Sequence, residues 1–105
     1  MRAKKHRGIV LLRVRGTSMA PTLTDNAWVL VRWGKKPKIN DVVVARSPID
    51  DSLIIKRLIK IEDDGYWLQG DAMSEATASS SQDSWVFGAL KPEEILGVVI
   101  WPRIS

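Results

Sequence analysis

With 105 residues and 45% apolar side chains, the chain has material for one domain with a modest core and not for two. It has no cysteine and a single histidine, His6, in a charged run; this argues against disulfides, thiolate chemistry, a histidine-based triad and a multi-histidine metal site, so neither metal nor cofactor is expected. The net charge of +4 comes partly from Arg2, Lys4, Lys5 and Arg7 and partly from Arg32, Lys35, Lys36 and Lys38; with no nucleic-acid motif and no basic helix beside them, these read as a solvated terminus and a solvated loop.

Residues 1–8 form a basic N-terminal tail. The run Ile9-Val10-Leu11-Leu12-Arg13-Val14 then reads as a strand. Arg13 and Arg15 make its apolar stretch far too short for a signal-peptide core or a membrane span. A soluble, cytoplasmic protein with at most peripheral membrane contact is the expectation. A turn-rich stretch, RGTSMAPTL (15–23), leads to a second strand, Trp28 to Arg32, closed by Gly34 and Pro37. Val42 to Arg46 is a third strand, ending at Ser47-Pro48-Ile49-Asp50-Asp51. Leu53 to Ile61 alternates loosely, and Asp63-Asp64-Gly65 turns it into Tyr66-Trp67-Leu68-Gln69. Met73 to Gln82 is small and polar and reads as a loop, Lys91-Pro92-Glu93-Glu94 as one helical turn, and Ile95 to Trp101 as the last strand. Six short strands with no sustained helical period predict a mostly β fold, a single small antiparallel barrel or coiled sheet over residues 9–105. The five tryptophans fit core or rim packing.

Ser18 raises the question of chemistry. A serine hydroxyl is a weak nucleophile until a neighbouring group takes its proton, and the only histidine lies in the tail. Lysine is the remaining base, known from Ser-Lys variants of serine catalysis. An ordinary lysine is neutral in roughly one molecule in two thousand at pH 7, and burial among apolar groups raises that fraction. Ile54-Ile55-Lys56-Arg57-Leu58-Ile59-Lys60 offers such a setting, with Lys56 nearest the strand centre. A second reading stays open on these residues: Lys56 as an edge-strand guard with its stem on the core.

Taken in order, SMAPTL, VVVAR, IIKRL and GDA followed by SQDSWVFG resemble the type I signal peptidase family, in the superfamily shared with LexA-like proteases. The resemblance spans residues 9 to 100. It implies a signal peptidase/LexA-like β fold, Ser18 as nucleophile and Lys56 as general base. It further implies Ser81 as the hydroxyl that holds the lysine amine, and Gly70 and Asp71 as the turn placing the last box beside the site. The Ser18 backbone N–H would be one oxyanion donor. The second is open, because Gly16 stands where some members carry a hydroxyl. Ala72 replaces an asparagine and Trp85 an arginine of the family pattern, leaving Asp83 to find another cation, with Arg57 as a candidate. Among short members, the resemblance is to those that remove a leader from the precursor of nickel superoxide dismutase, making that precursor protein or peptide the expected partner. Nickel would belong to the substrate. An orphan signal peptidase domain or LexA-like protease with another substrate is the alternative within the same chemistry; LexA-type autoproteases share the Ser-Met pair and a strand lysine, but their DNA-binding domain and self-cleavage loop have no evident place in this chain. A degenerate, peptide-binding member and a nucleic-acid-binding barrel are the non-enzymatic alternatives.

Overall fold

The computed structural model describes residues 8–63, 65–72 and 84–104. Strands β1 (Ile9–Arg13), β2 (Trp28–Trp33), β3 (Val42–Arg46), β4 (Leu53–Glu62), β5 (Gly65–Gln69) and β6 (Ile95–Trp101) match the six expected from periodicity. They form one antiparallel sheet in the order β1-β2-β6-β3-β4-β5. The mostly β, antiparallel expectation therefore holds. Two short elements complete the set: one helical turn, α1 (Ser84–Phe87), and a 3-10 turn (Pro92–Glu94). The second was legible in its proline and acidic residues, and Glu94 takes the Lys91 N–H at 2.9 Å. The first was not; the Gly88 N–H closes it on the Ser84 carbonyl at 2.8 Å.

β3 is the centre of the sheet in sequence as well as in space. Its Val42-Val43-Val44-Ala45 run is buried throughout, as a strand covered on both faces must be. Alternation splits these residues between two cores. Val42 and Val44 join Val14, Met19, Leu23, Val29, Val31 and Val99. Val43 and Ala45 join Leu58, Tyr66, Leu68, Leu90 and Val98 on the other side. Met19, next to the serine, is buried. Four of the five tryptophans occupy the rim: Trp28 and Trp101 are exposed, Trp33 and Trp67 half-buried. Among the described residues no helix is long and apolar enough to cross a membrane.

β4 is long enough to serve two neighbours in turn. Its residues Leu53 to Arg57 pair with β3, Lys56 opposite Val43. From Arg57 onwards it pairs with β5, starting at Arg57 opposite Gln69. Leu53 to Lys56 therefore present one backbone edge with no strand partner among the described residues. Between Leu58 and Lys60 the register slips. Such a bulge re-aims the side chains beyond it.

Candidate active site

The serine lies in a closed loop whose neck is a pair of backbone bonds. Val14 N–H donates to the Ala27 carbonyl and Asn26 N–H to the Val14 carbonyl, both at 2.8 Å. Inside the loop, Ala20 N–H donates to Thr17 at 3.0 Å and Leu23 N–H to Met19 at 2.9 Å. The second bond forms one helical turn, which brings Met19 and Leu23 to the same side, and both are buried in the core. Ser18, next to this anchor, stays half-exposed. Gly16 begins the loop at φ +89°, a left-handed conformation that glycine adopts without strain. Its N–H donates to Asp25 Oδ1 at 2.8 Å, so that amide is already engaged.

The segment after β5 fixes the serine loop from below. Ala72 N–H donates to the Ser18 carbonyl at 2.9 Å. Because the bond uses the backbone, alanine makes it as well as the asparagine of the family pattern would. Gly70 packs against the same carbonyl so closely that a Cβ there would collide with the Ser18 oxygen. Asp71 then ties the loop to β4. It accepts from Arg57 Nε at 2.9 Å and from Arg57 Nη2 at 2.8 Å, and Thr22 also hydrogen-bonds its carboxylate. The third arginine nitrogen, Nη1, donates to the Asn40 carbonyl.

Burial by itself raises the carboxyl pKa of Asp71, but the bonds from Arg57 and Thr22, with the guanidinium charge, outweigh it and hold the group below its ordinary value. Arg57 is raised above its ordinary value, first by the Asp71 hydrogen bond and against its own desolvation. Arg57, the candidate cation for Asp83, pairs here with Asp71, and Asp83 itself lies outside the described residues. Gly70 and Asp71 do more than shape a turn for the last box: they hold the nucleophile loop itself. Sequence reasoning named Gly70, Asp71, Ala72 and Arg57 but not Thr22 or Asn40, and it missed the pairing of Arg57 with Asp71.

Lys56, in the middle of β4, is buried, with 3% of its surface exposed. Lys60 differs. Beyond the bulge its ammonium lies 4.7 Å from the Trp67 ring centroid and 3.5 Å from Glu62, with 42% of the side chain exposed. Of the two lysines, only Lys56 occupies the desolvated setting a neutral amine needs.

Ser18 and Lys56 line the same cleft, of about 490 Å³. One wall runs from Leu12 to Met19, the other from Ser52 to Lys56, with Val44 between them. Leu53 to Lys56, whose second backbone edge has no strand partner among the described residues, thus line the cleft. Ser81 and Asp83 lie outside the described residues. The chain resumes at buried Ser84, a residue the sequence reading passed over, whose Oγ accepts the Leu68 N–H at 2.8 Å and docks α1 on β5. No cluster of three or more histidine, cysteine or carboxylate residues able to hold a metal occurs among the described residues.

No curated protein matches the chain. The family model of Peptidase S24-like proteins matches residues 2–89, most of the sequence and every residue assigned above to the site. The serine loop, the strand lysine and the segment beneath them fall within that match, and the chain belongs to the Peptidase S24-like family, in the superfamily that joins S24 and S26 peptidases.

Proposed function

We propose that the protein is a serine endopeptidase in which Ser18 is the nucleophile and Lys56 the general base. The observation that carries this reading is the shared cleft, lined by a half-exposed serine, a buried lysine and the stretch of β4 whose second edge has no strand partner among the described residues. Burial disfavours the ammonium form, so a neutral Lys56 amine takes the Ser18 hydroxyl proton as Oγ attacks the scissile carbonyl. The tetrahedral oxygen is met by the Ser18 backbone N–H. The C–N bond then breaks, and Lys56 gives its proton to the leaving amine. Water attacks the acyl-enzyme, passing a proton to Lys56, and Ser18 recovers it as the acid product departs. Ser81 supplies the hydroxyl that orients the amine, and Asp83 supports that segment. The substrate enters as an extended strand on the Leu53–Lys56 edge, where backbone bonds give affinity and side-chain contacts give specificity.

The substrate class we favour is a precursor with an N-terminal leader, specifically that of nickel superoxide dismutase; the resemblance of the four sequence boxes to short signal peptidases supports this. Co-expression with the leader-bearing precursor, followed by mass spectrometry of the product N-terminus, tests both claims. Cleavage by the wild type, but not by Ser18→Ala or Lys56→Ala, is the expected result. Cleavage in all three lanes would assign the activity to the host and remove the dyad. No cleavage by folded wild type would replace this substrate with another, or the enzyme with a peptide binder.

A further inference from the structure

The cleft has a charge pattern that neither the dyad nor the strand edge explains. Its first wall carries Arg13 and Arg15, its second ends at Lys56, and no carboxylate lines it among the described residues. Arg13 is occupied: its guanidinium lies 4.3 Å from the centroid of the Trp28 ring. Asp25, the acid bound to this wall, is not among the lining residues and accepts the Gly16 N–H. Arg15 is exposed and has no ion pair or ring contact among the described residues. Arg15 thus lines the cleft with its charge uncommitted among the described residues, and a guanidinium fork is suited to receive a carboxylate.

We infer that Arg15 selects an acidic side chain in the bound peptide, close to the bond to be cut. Arg15 precedes Ser18 by three residues, a span of at most about 10 Å along the chain. An extended peptide advances about 3.3 Å per residue, so the side chain opposite Arg15 lies within about three positions of the scissile bond. The apolar part of the same peptide meets Leu12, Val14, Ile54 and Ile55, which line the two walls. The substrate class is therefore a peptide strand with apolar residues and one Asp or Glu near the cut. This inference rests on the peptide-cleaving reading of the cleft and adds the charge that decides between substrates.

An exposed ion pair is weak, so the preference for Asp over Lys at that position is about three- to tenfold and shrinks at high salt. One randomised peptide library tests it in two arms. In the first, wild type, Arg15→Gln and Arg15→Glu digest the library and the products are read by mass spectrometry. In the second, the same library is captured on Ser18→Ala, with and without Arg15→Glu, and the retained peptides are read likewise. The expected result is enrichment of Asp and Glu at one position by the wild type, loss of it in Arg15→Gln and a switch to Lys and Arg in Arg15→Glu. Cleavage with no acidic preference, or with a preference that Arg15→Glu leaves unchanged, overturns the inference while the peptidase reading stands. Capture of acidic peptides that depends on Arg15, without cleavage by wild type, sustains the inference and overturns the peptidase reading. Neither capture nor cleavage overturns both.

Discussion

A methyl group on residue 70 would collide with the Ser18 carbonyl oxygen, so Gly70→Ala must displace the nucleophile loop or its own strand end. Overpacking of this kind costs about 1–3 kcal/mol, and a shift of about 1 Å at the reacting atoms can reduce a rate a hundredfold. Peptide cleavage by Gly70→Ala is expected to fall by that order, with Tm lowered by about 4–8 °C for each kcal/mol. Asp71→Asn tests the bond between loop and strand by leaving the Arg57 fork without its counter-charge. Loss of about 1–3 kcal/mol in chemical denaturation is the expected outcome. The pH dependence follows from the sign of the shift. Because the folded-state pKa of Asp71 lies below its unfolded value, its contribution is complete above the ordinary carboxylate range and is lost as pH falls through the folded value. Wild type and Asp71→Asn should therefore differ in stability at neutral pH and converge in acid. Ser18 and Lys56 could be named as a pair through the resemblance of the four boxes; elimination alone, with no cysteine and one misplaced histidine, pointed to a lysine and left Lys56 open as an edge-strand guard. The Arg57–Asp71 pair could not. Its partners are fourteen residues apart, and the register that sets Arg57 opposite Gln69 brings Asp71 within reach.

At the scale of elements, β4 is the informative one. Strict alternation along β4 would set Lys56 and Lys60 on one strand face, yet the structure buries one and exposes the other. The register slip between Leu58 and Lys60 separates them, and such a slip is decided by pairing with β5 rather than by the composition of β4. Two substitutions exploit the difference. Lys60→Ala removes a surface ion pair and a ring contact, and should leave peptide cleavage within about twofold of wild type. Lys56→Met keeps an unbranched stem of similar volume and removes a buried amine, so cleavage should vanish while Tm stays at or above the wild-type value. A fall in activity for both, or for neither, would detach β4 from the chemistry. Strand positions were legible throughout because their apolar runs are bounded by Gly, Pro and Asp turns; α1, held by one backbone bond and by Ser84, had no comparable local signal.

At the scale of the molecule, two small cores sit on opposite faces of β3 and share its four buried residues. Neither is large, and a chain of this size has about 5–15 kcal/mol of total stability. Leu58→Ala, in a fully buried position, should remove about 2–5 kcal/mol and shift the denaturation midpoint accordingly, with the slope unchanged if unfolding stays two-state. The half of β4 that borders the cleft adds something of a different kind. In an antiparallel strand, successive amides point alternately to the two sides. Along Leu53 to Lys56, every second N–H faces β3, while those between look out from an edge that has no strand partner among the described residues. Deuterium exchange should therefore run at two speeds within four consecutive residues of one strand. A peptide laid along that edge would silence the fast set and leave the slow set unchanged, so occupancy of the cleft can be read from the backbone itself, with no bond cut.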